Sequence, residues 1–555
     1  MAWLLRTILA LGARQESPVG RSSSVNPNNH GSVARVRRPF AAVLPLLWAC
    51  GLWAACGNPP NSGVSDAGLR ADAWVGPPGC TSGLDFADIS QLSPDLAANP
   101  FGGEAGWDHV DKYGPGLGLA DLDGDGHLDL VQVRSERNAP ALRTPVVYRG
   151  LGDGRFEEAT RPEWRDADNG TFALLFDYDG DEDLDLLIGI AGANVRLYRN
   201  DGAFAFVDAT VEAGLEGIAD YAYAAAAGDV DSDGVLDLYL GQWQADLPEH
   251  GAGMAPNRLL LGTGTGFALA SAEVACEGRS TLGLDIYVAN DFFEDCLYEN
   301  LGDGEWRDVA QAAGVATDAM HAMGVAFGDL NGDAHLDVLV TDTEQTDTSR
   351  GNAAFVSSPT ELSFESSALS LGLDGISTLQ ADWLVCWGVG IQDFDLDGYP
   401  DIHLATHIER DEIYLHNQAW EFAPAWNLIN GIEGVDARGT AYGDIDGDGD
   451  LDIVQGLRGA GIQVLRNTAA ESSQFLRVEI TPPAQAIGAS VWVVSEGKTQ
   501  IQVIQAGSGY MSSGPPTATF GLCGASSAQR VEIRFADGSR QVAEDVAAGV
   551  FSVRR

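Results

Sequence analysis

Asp444-Ile-Asp446-Gly-Asp448-Gly-Asp450-Leu-Asp452 runs directly into Ile453-Val454-Gln455-Gly456-Leu457, an aspartate-studded nonapeptide feeding an apolar, strand-prone run. The pattern Asp-x-Asp/Asn-x-Asp-x-x-x-Asp recurs five more times, and apolar residues follow its last aspartate every time. Its acidic or amide positions are Asp121, Asp123, Asp125, Asp129; Asp177, Asp179, Asp181, Asp185; and Asp229, Asp231, Asp233, Asp237. They continue with Asp329, Asn331, Asp333, Asp337; Asp393, Asp395, Asp397, Asp401; and Asp444, Asp446, Asp448, Asp452. A loop therefore opens into a strand six times in one register.

A seventh copy emerges from its ending, because Leu284-Asp285-Ile286-Tyr287-Val288 matches Leu236-Asp237-Leu238-Tyr239-Leu240. Counting back nine positions starts this loop at Glu277, so its length is expected to survive while its ligands do not. Arg279 then falls where an aspartate should stand. Two readings stand side by side: its guanidinium replaces a metal as an internal cation, or the loop has decayed. The final aspartates at 129, 185, 237, 285, 337, 401 and 452 are spaced by 48 to 64 residues.

Between the loops a second phrase recurs, a short strand, a Gly-rich turn and an aromatic, as in Val147-Tyr148-Arg149-Gly150 leading to Phe156. Leu197-Tyr198-Arg199-Asn200 and Leu297-Tyr298-Glu299-Asn300 repeat it. Asp-Gly at such turns supplies the positive φ that a tight hairpin needs. Repeated all-β units of this size with no helical period between them predict an all-β, seven-bladed β-propeller. Phe86-Ala-Asp88-Ile89 resembles a blade-ending strand such as Phe206-Val-Asp208-Ala209 and, standing before the first loop, is expected to close the last blade.

Calcium takes six to eight hard oxygen ligands at about 2.3 to 2.6 Å. Carboxylates at positions 1, 3, 5 and 9 and a carbonyl at position 7 supply them if the chain curls tightly, and glycine at position 6 permits the curl. Gly126, Gly234, Gly398 and Gly449 comply, whereas Glu182 and Ala334 depart. An EF-hand requires an acid at position 12, where this chain has Gln132, Ile188, Leu240, Val340, Leu404 and Gln455. About six Ca²⁺ ions are therefore expected, with none in blade four.

Eighty acidic against 32 basic residues leave a formal charge of −48, which repels nucleic acid and anionic membranes and calls for cations. Residues 1–56 read as a signal region: Arg35, Arg37 and Arg38 precede the apolar stretch from Phe40 to Ala55, and residues 1–33 read as preceding the true start. Leu52-Trp53-Ala54-Ala55-Cys56 resembles a bacterial lipobox with Cys56 as the lipidated residue, and Cys50 heads a poorer candidate. Residues 57–79 read as a flexible tether, 80–470 as the propeller and 471–555 as a small C-terminal β domain. Export to a bacterial envelope or beyond follows, with one or two disulfides and a Cys276–Cys296 bridge as expectations.

The phrases and the tail resemble FG-GAP/VCBS-repeat proteins of the cartilage acidic protein-like group, which end in an ASPIC/UnbV domain. In the tail the match rests on Gln474-Phe475-Leu476-Arg477-Val478, Ile487-Gly488-Ala489-Ser490-Val491, Gly507-Ser508-Gly509-Tyr510-Met511-Ser512, Phe520-Gly521-Leu522-Cys523 and Ala536-Asp537-Gly538. Cys523 and Phe535-Ala536 depart from the family's glycine and Trp-Pro. The resemblance implies an integrin α-like head with structural calcium, extracellular binding or adhesion, and a protein or glycan ligand.

No P-loop, HExxH or G-x-S-x-G occurs, so a binding scaffold is expected and no catalytic residue is assigned. The alternative is a lyase- or hydrolase-type enzyme using the central funnel. His403, His407 and His416 form a weaker transition-metal candidate, and core histidines are the commoner outcome.

Overall fold

The computed structural model describes residues 84–555 apart from 99–113, 134–143, 165–168, 220, 244–255, 271–278, 284–285, 292–293, 303–304, 317–320, 343–351, 374–385, 408–410, 417–420, 426–428, 431–434 and 470–472. The signal region, Cys56, the tether, Cys276 and Glu277 lie outside the described residues.

Seven sheets follow one another along the chain; in the first six the strands pair antiparallel in sequence order, and the seventh also takes in a strand from the N-terminal side. Blade one is typical: Gly116–Ala120, Asp129–Val133, Val146–Gly150 and Phe156–Glu158. The first strands of successive sheets pack against each other, and that of blade one also packs against that of blade seven, so the ring closes. Asp129–Val133 is buried along its whole length, as a strand sandwiched between neighbouring blades must be, and this is why apolar runs rather than alternating patterns follow each loop.

Phe86–Asp88 pairs antiparallel with Ile462–Arg466, the third strand of blade seven, and takes the place of that blade's fourth strand. The N-terminal segment thus closes the last blade, as the Phe86-Ala-Asp88 phrase predicted.

The loops sit between first and second strands. In blades one to three and five to seven, the residue before position 1 pairs directly with the aspartate of position 9, for example Ala120↔Asp129 and Gly443↔Asp452. Blade four differs and corrects the expected loop length. There Arg279–Gly283 is itself the first strand and Gly283 pairs with Tyr287, so three residues make the turn. The match of Tyr287 to Tyr239 is sound, because Tyr287↔Leu297 corresponds to Tyr239↔Leu259. The residues upstream are needed to line the ring, and without ligands they pair as strand. Arg279 therefore belongs to a strand rather than to a metal loop.

Residues from Gln474 onward build two further sheets, one of Thr517–Cys523, Gln474–Thr481 and Gly549–Arg554, the other of Lys498–Val503, Ser490–Ser495, Ser527–Arg534 and Arg540–Ala547. This domain packs on the face that carries the aspartate loops. Its segment Ala506–Ser513 enters the centre of the ring and hydrogen-bonds to first strands around it. Ser513 accepts from Leu119 N at 2.9 Å and donates to Leu117 O at 2.8 Å, and Ala173 N donates to Met511 O at 3.2 Å. Ala227 N donates to Ala506 O at 3.3 Å, and Gly509 exchanges two bonds with Val325 at 3.1 and 3.2 Å. Tyr510 meets Trp387 edge-on at 5.3 Å, and one apolar core runs from blades two and three through this segment into the C-terminal domain. The funnel invoked by the enzyme alternative is thereby occupied, and a chamber of about 130 Å³ is left between this segment, blades five and six and the C-terminal sheet.

Candidate metal centres

Six nonapeptides fold alike because two positions in each, 4 and 6, adopt positive φ. In blade one these are Gly124 at 76° and Gly126 at 88°; in blade three, Ser232 at 62° and Gly234 at 90°. Glu182 at 79° and Ala334 at 61° show that the loop imposes this backbone where glycine is missing, at about 1 kcal/mol per residue. The demand at position 4 was not read from the sequence, since Ser232 and Leu396 (φ 56°) disguise it.

Within this frame the carboxylates divide the work. Asp121, at position 1, accepts from Gly124 N at 2.8 Å, Asp125 N at 3.2 Å and Gly126 N at 2.9 Å. Asp129, at position 9, accepts from Leu122 N at 2.8 Å with one oxygen and from Gly150 N, on the third strand, at 2.9 Å with the other. This second arrangement recurs at Asp185, Asp237, Asp337, Asp401 and Asp452. Position 9 is thus a bolt between loop and blade as well as a ligand candidate.

Positions 1, 3 and 9 converge. Asp121, Asp123 and Asp129 bring carboxylate oxygens within 4.8 Å of one another, as do Asp177, Asp179 and Asp185; Asp229, Asp231 and Asp237; Asp393, Asp395 and Asp401; and Asp444, Asp446 and Asp452. Position 5 stays outside these sets and accepts the backbone N–H of position 7, as Asp397 does from Tyr399 at 2.8 Å and Asp233 from Val235 at 2.8 Å. Blade five folds its loop the same way, with Asp329 accepting from Gly332 N at 2.6 Å and Ala334 N at 2.9 Å. Asn331 leaves it a neutral oxygen where the others have a third acid.

Burial pushes the position-9 carboxyls up, Asp129 and Asp237 to about 7, Asp185 and Asp337 to about 8, and Asp401 and Asp452 well above the ordinary value. Neighbouring carboxylates add to the effect. Two unit charges 4 Å apart repel by about 1 kcal/mol in water and about 4 kcal/mol at an effective dielectric near 20. In blade six Asp395 and Asp397 each hold an Oδ2 that is buried without a hydrogen-bond partner. Converging hard oxygens, burial and orphaned acceptors fit a divalent cation such as calcium.

FG-GAP-like repeat models match residues 121–188, 177–240, 283–340 and 393–454, and an ASPIC and UnbV model matches residues 480–551. The chain is an FG-GAP-repeat protein with an ASPIC/UnbV domain. Cartilage acidic protein 1 from Homo sapiens is 26% identical over 303 residues, covering 49% of this chain and 41% of that protein. The Mus musculus protein is 27% identical over 300 residues, covering 48% and 42%. The matches thus span less than half the length of these relatives. Among solved structures, BBS1N in complex with ARL6DN is 12% identical with a TM-score of 0.41, covering 69% of this chain and 96% of that one. YCF48 bound to D1 peptide is 9% identical with a TM-score of 0.38, covering 64% and 94%.

Cations of the protein surround several FG-GAP loops. Arg149 pairs with Asp123, Arg466 stands 3.7 Å from Asp446, and Arg477 of the ASPIC/UnbV domain pairs with Asp444. Arg149 and Arg466 occupy one place in the recurring strand-turn phrase, so that phrase carried the signal. The residue after it carries another. Asn200 Nδ2 donates to Leu122 O of the preceding blade's loop at 2.8 Å, Asn300 to Val230 O at 2.7 Å and Asn467 to Phe394 O at 2.7 Å. These asparagines tie each of three FG-GAP loops to the next blade.

The histidines do not assemble. His403 is buried against Tyr442 Oη at 2.9 Å, His416 stacks on Tyr399 at 4.7 Å, and His407 pairs with Asp436 at 2.8 Å. Burial pushes His403 down to about 3 and His416 to about 4, so both are neutral packing groups. Cys296 and Cys523 are disulfide-bonded and Cys386 is a buried free thiol.

Proposed function

We propose that this chain is an exported, calcium-binding β-propeller scaffold in which calcium is structural. The observation that carries the reading is the fivefold recurrence of three carboxylates within 4.8 Å of one another at one place in a blade. Each loop joins the innermost strand of a blade to the next, so an ion there neutralises the acids and pins both strands at once. About six ions are expected, blade five using Asn331 and blade four taking none. The disulfides at Cys296 and Cys523 support an oxidising compartment, in keeping with a signal region and an envelope or secreted destination, with Cys56 as a lipid anchor.

The ASPIC/UnbV domain engages part of the aspartate-loop face, and in this reading an extracellular protein or glycan ligand is taken at the opposite face. A charge of −48 disfavours nucleic acid. Metal analysis of the purified exported chain tests the proposal: about six calcium ions per chain is the expected result, and two or fewer would overturn it.

A further inference from the structure

In blade four the first strand runs on to Gly283, which pairs with Tyr287, where six other blades fold a nonapeptide. A chamber of about 330 Å³ lies there, between the loops of blades three and five and the C-terminal domain. Trp306 and Phe364 come from the propeller, Trp492 and Phe535 from the C-terminal domain, and the lining is mainly apolar.

The charged groups at the wall are already engaged. Asp229 accepts from Gly234 N at 3.0 Å and Asp233 N at 3.1 Å inside its own loop, and Asp333 accepts from His335 N at 3.0 Å. Arg534 donates to Glu532 at 2.6 Å and stands over the Trp492 ring with its Cζ 4.4 Å from the centroid, and His335 Nδ1 is 2.9 Å from the Asp333 carbonyl. An anionic ligand would find Arg534 already paired with Glu532, and the acids of the wall belong to loops that take an ion of their own, while four aromatic rings offer dispersion and stacking. We propose that this chamber binds one uncharged, predominantly apolar small molecule, held jointly by the propeller and the ASPIC/UnbV domain. Its size falls at the lower end of the range for small-molecule sites.

The test uses two dyes with one skeleton, N-phenyl-1-naphthylamine, which is neutral, and 8-anilino-1-naphthalenesulfonate, which adds an anionic group. Added to the full exported chain in calcium, the neutral dye should give a saturable fluorescence rise at about one per chain and bind at least about tenfold more tightly than the sulfonate. Ala536→Phe or Ser490→Leu, each placing bulk inside the chamber, should weaken the neutral dye at least about tenfold while the melting temperature is kept. If one variant fails to fold, the other provides the reading. Non-saturating uptake, equal affinity for the two dyes, or unchanged binding in a folded filled variant would overturn the site.

Discussion

The aspartate loops of blades three and six share a pattern yet occupy opposite surroundings. In blade three Asp231 is exposed and Asp229 half-buried, and Gln485 of the C-terminal domain reaches the Gly234 carbonyl at 3.4 Å. In blade six Asp393, Asp395 and Asp401 are all buried. Gly521 N donates to Asp393 at 2.9 Å, Cys523 N to Leu396 O at 3.0 Å and Lys498 Nζ to Asp397 O at 3.0 Å, with Lys498 lying 3.5 Å over Tyr399. One ligand set is open to water and the other is roofed by a second domain. The difference teaches that the nonapeptide specifies a loop, while its neighbours decide how costly that loop is without an ion and how readily an ion can leave it.

The largest effect should come from removing calcium altogether. A site filled at a hundred times its Kd contributes about 2.7 kcal/mol, so stripping several should lower the melting temperature steeply. Chelator should empty the open loops first and the blade-six loop last, read as two phases of calcium release. A single phase would dissolve the contrast, and an unchanged melting temperature in metal-free protein would replace the structural role with a ligand-bridging one.

Asp395→Ala sharpens the comparison because its sign should reverse. In calcium it removes a ligand and should cost about 3 kcal/mol; in chelator it removes a buried carboxylate with one oxygen unpartnered and should stabilise by about 1 kcal/mol or more. Asp231→Ala, at the exposed counterpart, should stay within about 0.5 kcal/mol in chelator. Thermal melts of both variants under both conditions decide this.

Next in size, Asp446→Ala should cost more than Asn331→Ala by about 1 kcal/mol, since the former loses a charged ligand from a full acidic set and the latter a neutral oxygen. Equal losses would place the two loops in one class. An effect of similar size is expected for Asn467→Ala, which unties the blade-six loop from blade seven and leaves Phe394 O and Leu451 O without their side-chain donor. About 1 to 2 kcal/mol in melting experiments is the expected cost, independent of calcium.

Much of this was readable from local spacing. The nonapeptides, their strands and the closing Phe86–Asp88 segment depend on residues near in sequence, or on a repeat that announces its own period. The blade-four loop was misread because the ending alone fixed the register. Whether nine upstream residues curl or pair depends on ligands and on the ring's need for an inner strand. Position 5 looked equivalent to positions 1, 3 and 9, since spacing cannot tell an acid that turns inward from one that caps the N–H two residues on, as Asp397 does for Tyr399.

By itself the sequence determined the repeat, the all-β blades and the loops in which acids gather, because loop curl and strand pairing are set by φ preferences and short-range hydrogen bonds. Only the tertiary structure decided that Ala506–Ser513 fills the ring, that Gly521 and Lys498 roof blade six, and that an aromatic chamber lies between the loops of blades three and five and the C-terminal domain. Those contacts join residues more than 100 positions apart. They rest on the shape match of two domain surfaces, which no local pattern encodes.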